Sequence, residues 1–227
     1  MLTIVLHNAA LELVNDKICN IKHAAVLNDA KRRNKSTHDI LLDLTVHQSA
    51  IYPDKLYNSG RPDLVHLFLL QYHHIMKLLP NAREVQLYVH TKNDEVFFVP
   101  QTWRVPVHFI RFRGLMEKFL KEKTIKLSES EELHLTNMYL SELVDSLRPD
   151  ITINLTEQGK YNQELVQEIQ NQENKEHIVV LIGGYQRGEI ELSNILTQQF
   201  IEMKLLDEPT TAWMILNILF SGKIIEK

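Results

Sequence analysis

The chain has 227 residues, 44% of them hydrophobic, with only 7 Gly and 7 Pro and a formal net charge of -4. That is enough apolar material for one large domain or two small ones, and it excludes a disordered, linker-rich or fibrous chain. The single Cys19 excludes an internal disulfide, and no apolar run approaches the roughly 20 residues that span a bilayer, so a reducing, cytoplasmic setting is expected.

In chain order, Leu2 to Leu6 reads as a short strand. The apolar start MLTIVLHNAALEL lacks a basic leader region and soon meets Glu12 and Asp16, a poor signal peptide. Lys17 to Ala30 has helical spacing through Ile18, Ile21, Ala25 and Leu27, and runs into an exposed basic connector of Lys31, Arg32, Arg33 and Lys35. Ile40 to Leu44 is a buried-strand candidate. A loop from Tyr52 to Gly60 leads to a helix from Pro62 to Leu79, with Pro62 in its first turn, Asp63 at its positive end and Pro80-Asn81 as its stop. Val85 to His90 and Val96 to Val99 flank a hairpin turn at Lys92-Asn93-Asp94. Phe109 to Leu120 is helical, and a further helix over Leu133 to Leu147 ends at Arg148-Pro149. Ile151 to Leu155 and Ile178 to Ile182 are short apolar runs of the kind covered on both faces. Between them Asn162 to Asn174 is polar and helical. Phe200 to Leu205 is a weaker strand, and Pro209 to Phe220 a final apolar helix capped by Asp207. Alternation of this kind predicts an α/β fold with a mostly parallel sheet.

Charge is distributed unevenly. From Gln101 to Lys126 there are seven Lys/Arg against two Glu, on a chain that is acidic overall. A basic strip on an acidic protein suits a polyanionic partner met at one face. The loop Gly183-Gly184-Tyr185-Gln186-Arg187-Gly188 follows a strand but has neither dinucleotide-fingerprint nor P-loop spacing. It is either a turn that needs positive φ or a backbone that approaches a ligand lacking a phosphate chain. Arg61-Pro62-Asp63 has two readings as well: an ordinary helix start, or a guanidinium and a carboxylate facing a planar polar substrate. No metal site is expected. The 11 histidines come without a cysteine cluster or HExxH, and His66, His73 and His74 read as helix-surface residues. No GxSxG elbow supports a serine triad.

Six segments, in order, resemble one family: SGRPDLVHLFLL (Ser59 to Leu70), LYVHTKNDEVFFVPQTWRVP (Leu87 to Pro106), FIRFRGLMEKFL (Phe109 to Leu120), INLTEQG (Ile153 to Gly159), VVLIGGYQRGEI (Val179 to Ile190) and EPTTAWMILNILF (Glu208 to Phe220). Together they are similar to the ribosome-biogenesis N1-specific pseudouridine methyltransferases of the SPOUT superfamily. The compact length resembles archaeal members. The resemblance implies a SPOUT-type α/β knot, with residues 1–227 as a single domain and a C-terminal deep trefoil knot in about 150–227. It also implies a homodimer, S-adenosylmethionine as methyl donor, and small-subunit ribosomal RNA as partner, with neither a metal nor a membrane.

In this family the cofactor lies bent between three loops, matched here by Leu155 to Gly159, Ile182 to Gly188 and Leu205 to Trp213. The cofactor positions so implied are Leu155, Thr156, Gly159, Ile182, Gly183, Gly184, Gly188, Leu205, Leu206, Glu208, Thr210 and Thr211. N1 of pseudouridine carries a hydrogen, unlike N1 of uridine. The resemblance therefore gives Asp63 the N1–H, as base or as orienting contact, and gives Arg61 the task of holding Asp63 or a ring carbonyl. Arg61, Arg104, His108, Arg111 and Arg113 are the expected RNA contacts. One departure stands out. Val107 occupies a place where relatives are expected to carry arginine, so one phosphate contact is lost or passed to His108 or Arg113. The competing reading is a ribosome assembly factor that binds ribosomal RNA without turnover.

Overall fold

Strand β1 (Leu2–Ala9) sends Leu2, Ile4 and Leu6 to one face and Val5 to the other, and all four are buried. A strand apolar on both faces can only be central, with layers on either side. In the computed structural model, which describes residues 1–78, 85–129, 131–163, 166–167, 176–186, 192, 195, 199–205 and 211–225, that is where it lies. The other elements are α1 (Ala24–Arg32), α2 (Leu44–His47), α3 (Pro62–Leu78), β2 (Val85–Thr91), β3 (Glu95–Phe98), α4 (Phe109–Glu122), β4 (Thr124–Lys126), β5 (Glu132–His134), β6 (Thr136–Asn137), α5 (Leu140–Leu147), β7 (Ile151–Tyr161), β8 (Ile178–Gly183), β9 (Gln199–Lys204) and α6 (Ala212–Ile225).

Among the described residues the main sheet has the order β6-β3-β2-β1-β8-β7-β9. The five strands β2, β1, β8, β7 and β9 are mutually parallel, and β3 and β6 add an antiparallel margin. This is the mostly parallel α/β sheet expected. On one face, Ile4, Leu6, Leu87, Ile153, Val180 and Ile182 pack under α3, α4 and α6. On the other, Val5, Val179 and Leu181 pack under Leu140, Leu143 and Val144 of α5. A third, separate cluster (Val14, Ile18, Cys19, Val26, Ala30, Ile40, Leu42, Ala50, Ile51) belongs to the long segment between β1 and α3. No helix among the described residues is long and apolar enough to cross a membrane.

Several elements differ from expectation. The first helix starts at Ala24, not Lys17. Asn15 Oδ1 accepts the Lys17 amide and Asn20 Oδ1 accepts the Lys22 amide, both at 3.0 Å, so two carboxamides capture the backbone in turns before a helix can begin. His23 Nδ1 then caps Ala25 N at 3.2 Å. Of Ile40 to Leu44, the first four residues are buried but make only an isolated bridge, Leu13 to Leu41, rather than a strand, and Leu44 begins α2. Leu133 to Leu147 is not one helix. Its first part pairs as β5 and β6, and only Leu140–Leu147 is helical. Arg148, at φ 49, ends it as expected. The hairpin turn closes with Asp94 at φ 55. Pro80-Asn81, Asp207 and Pro209 lie outside the described residues, as does most of Asn162 to Asn174.

The basic connector is only partly a connector. Arg33 is bound through both oxygens of Glu117, whose side chain is 1% exposed, and Lys35 Nζ reaches the same carboxylate at 2.6 Å. The Leu41 amide donates to Glu117 Oε1 at 2.9 Å. Burial alone would raise the Glu117 carboxyl. The hydrogen bonds from Arg33, Leu41 and Lys35 overcome that and hold it below its ordinary value. One carboxylate on α4 thus docks residues 33–41, and the third cluster behind them.

Removing this carboxylate leaves Arg33 and the Leu41 amide without their partner. Glu117→Ala should lower Tm by roughly 6–12 °C, the equivalent of about 3 kcal/mol in a chain of this size. The Glu117 contribution is fully present above the unfolded carboxylate value of 4.5 and is lost as pH falls through the lower folded value. Acid unfolding of Glu117→Gln, followed by circular dichroism, should therefore depend less on pH below that point than wild type does.

Candidate active site

The parallel strands end along one edge, and in such sheets the crevice outside the carboxyl ends is where ligands bind. β1 ends at Ala9 and β8 at Gly183, and the chain following each is bonded to the other. Gly184 N donates to His7 O at 2.8 Å, and Ala10 N donates to Gly184 O at 2.9 Å. A Cβ on Gly184 would lie 2.7 Å from Ala9 Cα. Neither Gly183 nor Gly184 has positive φ, so close approach, not turn conformation, is what requires glycine at 184.

Arg61 arrives at the same edge. Its amide donates to Ala10 O at 3.1 Å. Its guanidinium makes a fork with Asp63: Nε to Oδ1 and Nη2 to Oδ2, both 2.8 Å. The remaining Nη1 donates to Gln186 Oε1 at 2.7 Å, in the loop after β8. The Asp63 side chain is 36% exposed, against 19% for Arg61. A carboxylate with two oxygens has about four acceptor positions, so two arginine N–H groups leave Asp63 able to accept from a ligand. The first turn of α3 therefore carries a fixed, open carboxylate: the helix-start reading of Arg61-Pro62-Asp63 holds, and it leaves room for the binding one.

Among the described positions matched to the cofactor loops, all but Thr211 lie toward the ends of neighbouring strands. Leu155 and Ile182 are paired across β7 and β8, and Leu155 also pairs with Met203 of β9, two residues before Leu205. After Leu155 the β7–β9 register breaks, and Met203 is met again only at Lys160. Thr156, Glu157, Gln158 and Gly159 arch out of the ladder between these pairings. A Cβ on Gly159 would run into the Met203 backbone, so the return of this arch depends on glycine. Ile182 is fully buried and Leu205 is 6% exposed, whereas Leu155 and Thr156 are half-buried. Thr211 heads α6, its carbonyl accepting the Met214 and Ile215 amides. An apolar wall beside closely approaching backbone at strand ends suits an adenine ring and its sugar. Gly188, Leu206, Glu208 and Thr210 lie outside the described residues.

Three of the expected RNA residues, Arg104, His108 and Arg111, lie in or next to the segment that leads into α4. His66, one turn along α3 from Asp63, donates from Nε2 to Pro106 O (2.7 Å) and stacks on Phe112 with ring centroids 4.5 Å apart. It thereby fixes residues 106–112 beside the start of α3. Arg104, His108 and Arg111 are exposed there, and so are Val107 (75%) and Ile110 (74%). The C-terminal half of the basic strip is neutralised locally: Lys118 by Glu122, Lys121 by Asp39, Lys123 by Glu95 and Lys126 by Glu132. Arg113 differs from its neighbours. Its Nε is buried, and its charge helps lower the pKa of His47, although burial is the main cause of that shift.

His66 and His73 are buried rather than on the helix surface. His73 bridges Leu69 O (2.9 Å) and Pro100 O (3.2 Å), so each ring ties a loop to α3. Among the described residues no group of three His, Cys, Asp or Glu is arranged to hold a metal.

Four residues of the edge were not anticipated. Gln186 holds Arg61, although it stood in a loop already singled out. Asn8 sits at φ 48, in a bulge where β1 slips against β2, with Nδ2 3.1 Å from His7 Nδ1. Buried His7 is pushed down to about 3 by loss of solvent and by nearby His90. Glu12 is also fully buried. Burial raises its carboxyl to about 7, against the opposing pull of Lys92 and the Gly60 amide. The signal was a lone acid in the apolar run AALELV.

The profile of the family described as EMG1/NEP1 methyltransferase matches residues 4–222. A ribosomal RNA small subunit methyltransferase Nep1 from Pyrococcus furiosus is 32% identical over 222 residues, covering 95% of this chain and 93% of its own. One from Saccharolobus solfataricus is 37% identical over 161 residues, 70% of this chain and 69% of its own. The crystal structure of Archaeoglobus fulgidus Nep1 bound to S-adenosylhomocysteine superposes with a TM-score of 0.77 at 26% identity, covering 99% of both chains. Agreement over nearly the whole length, in sequence and in fold, makes this chain a member of the EMG1/NEP1 methyltransferase family.

Proposed function

We propose that this chain methylates N1 of a pseudouridine in small-subunit ribosomal RNA, with S-adenosylmethionine as donor. The observation that carries the proposal is the Arg61–Asp63 fork, tied through Gln186 to the glycine loop at the ends of the parallel strands. The relatives' names, which specify small-subunit ribosomal RNA, support the substrate, and the S-adenosylhomocysteine in the A. fulgidus structure supports the donor.

When bound, S-adenosylmethionine supplies a methyl group on a positively charged sulfur. Leu155, Ile182 and Leu205 would flank its adenine, with the arch from Thr156 to Gly159, Gly183, Gly184 and Thr211 offering main chain. Gly188, Leu206, Glu208 and Thr210 complete the proposed set. Asp63 accepts the N1–H of the flipped base, and so fixes the ring with N1 in line for attack at roughly 3–3.5 Å. Arg61 keeps that carboxylate in one orientation. As N1 loses its proton, to Asp63 as base or to water where Asp63 only orients the ring, charge spreads to the ring carbonyls, and the Arg61 guanidinium is the nearby positive group that opposes it. Uridine has no N1–H, so the same carboxylate would face nothing it can hold. Arg104, His108 and Arg111 meet the phosphates on either side of the base, with Arg113 behind them.

The proposal extends to one functional domain over residues 1–227, knotted in about 150–227, and to a cytoplasmic homodimer without a metal. The single sheet that runs from β6 to β9 supports the first point, because it joins both halves of the chain. The packing of α6 on α3 is in keeping with it, and Gln71 Nε2 donates there to Asn217 Oδ1 at 2.5 Å.

Purified protein should methylate a loop RNA containing pseudouridine and leave its uridine twin unmodified. Equal modification of both would reject the chemistry. Asp63→Asn should lower methyl transfer by about 100-fold or more while calorimetry shows S-adenosylhomocysteine affinity changed by less than about twofold. Retained RNA binding with unchanged transfer would remove Asp63 from the reaction, and a wild type that binds RNA without transfer would favour an assembly factor.

Arg104→Ala and Arg111→Ala should each weaken RNA binding and flatten its salt dependence by about 0.7–0.9 of a slope unit, and Val107→Arg should steepen it by a similar amount. Filter-binding titrations at several salt concentrations measure this. Unchanged slopes in all three would put the RNA on another surface.

A further inference from the structure

Two ionisable groups near the fork, Glu12 buried and Lys92 half-buried, have no part in methyl transfer as described. Lys92, in the β2–β3 turn, donates from Nζ to Asn58 O at 3.1 Å, Asn58 Oδ1 at 3.2 Å and Ser59 Oγ at 2.5 Å. An ammonium has three hydrogens, and these contacts use all of them on two adjacent residues. Glu12, in the segment after β1, accepts the Gly60 amide through Oε1 at 2.7 Å. Its other oxygen, Oε2, is buried without a hydrogen-bond partner among the described residues.

The peptide they hold leads directly into Arg61. Gly60 adopts φ +63, a conformation that disfavours side chains, and an added Cβ would lie 3.2 Å from both Leu42 Cγ and Leu44 N. Gly60 O accepts the Leu44 amide at 2.7 Å, and the Arg61 amide is taken by Ala10 O. Each residue from Asn58 to Arg61 is therefore fixed by a group from another part of the chain. A carboxyl with an orphaned oxygen costs stability that an apolar side chain of similar size would not. The oxygen that is satisfied is the one aimed at the amide preceding the fork.

We propose that Glu12 and Lys92 are positioning residues for methyl transfer. Together they set the path of Asn58 to Gly60, and so determine where the Arg61 guanidinium and, through it, the Asp63 carboxylate stand at the sheet edge. The inference rests on the role of the fork in transfer. It assigns to these two side chains no contact with RNA or cofactor. Glu12 acts through its hydrogen bond to one amide and Lys92 through its three bonds to the residues before it. Losing either lets the loop relax by a fraction of an ångström to an ångström, a displacement that transfer in line tolerates poorly.

The test uses the full chain. Glu12→Ala and Lys92→Met should each lower kcat on the pseudouridine RNA by about 10- to 100-fold, with S-adenosylhomocysteine affinity by calorimetry within about twofold of wild type. Glu12→Gln keeps an oxygen for the Gly60 amide and should retain roughly half of the wild-type kcat or more. In ¹⁵N NMR spectra the Arg61 Nε–H resonance, held by Asp63 in the wild type, should shift or broaden in Glu12→Ala and Lys92→Met but not in Glu12→Gln. Wild-type kcat together with an unmoved Arg61 resonance in the first two variants overturns the proposal. So does joint loss of turnover and S-adenosylhomocysteine binding, since that marks the pair as supports of the whole fold. If the wild type itself transfers no methyl group, the role of the fork fails independently. The Arg61 resonance then decides: moved, it supports positioning by Glu12 and Lys92; unmoved, it rejects it.

Discussion

The candidate site depends on the backbone at the C-terminal end of β1. His7, Ala9 and Ala10 are the points at which the glycine loop after β8 and the loop before α3 attach. Three backbone hydrogen bonds, Gly184 N to His7 O, Ala10 N to Gly184 O and Arg61 N to Ala10 O, join segments between 51 and 177 residues apart in sequence. They form only because alanine on one side and glycine on the other permit the approach. A larger residue at 184 would push the glycine loop off β1, and Gln186 would no longer reach Arg61. The parallel sheet supplies the rest by aligning the ends of β7, β8 and β9 beside this junction.

Buried charge is used in two ways around that junction. Glu117 gathers Arg33, Lys35 and the Leu41 amide, and so joins the segment between β1 and α3 to α4. Its hydrogen bonds are numerous enough to keep it ionised despite burial. Glu12 has a single hydrogen bond and one orphaned oxygen, and its carboxyl is pushed the opposite way. The contrast follows from counting partners: burial dominates where they are few and is outweighed where they are many.

On the surface, pairing sorts the basic strip. The lysines toward the end of α4 and beyond have carboxylates within reach, while Arg104, His108 and Arg111 at its start do not share in those pairs. Exposed pairs contribute little stability, but they cancel field, so the positive potential concentrates beside the first turn of α3. His66 secures this arrangement from below by holding Pro106 and Phe112. A strip that looks uniform in one dimension becomes a local patch next to the open Asp63 carboxylate.

The sequence by itself determined the class of fold, because apolar runs such as Ile178 to Ile182 must be covered on both faces and alternate with amphipathic helices. It determined the position of α3, because Pro62 and Asp63 are local helix-start signals, and it marked Arg61, Asp63 and the glycine loop by residue type and order. It misjudged Lys17 to Lys22, where two asparagines capture the backbone, and Leu133 to Asn137, where strand partners override a helical pattern. Only the tertiary structure decided which charges are buried and which face solvent. Arg33 reads as solvent-facing until Glu117 is brought to it from 84 residues away, whereas Lys35 keeps the expected exposure while reaching the same carboxylate. Glu12 stands out locally only as a lone acid in an apolar run, and nothing local distinguishes Lys92 from a surface charge. Their roles depend on partners that are distant in sequence and become neighbours only when β1, β2 and the loop before α3 meet at one sheet edge. Periodicity and capping are short-range properties that a sequence displays directly, whereas burial of a charge is a property of the whole packed chain.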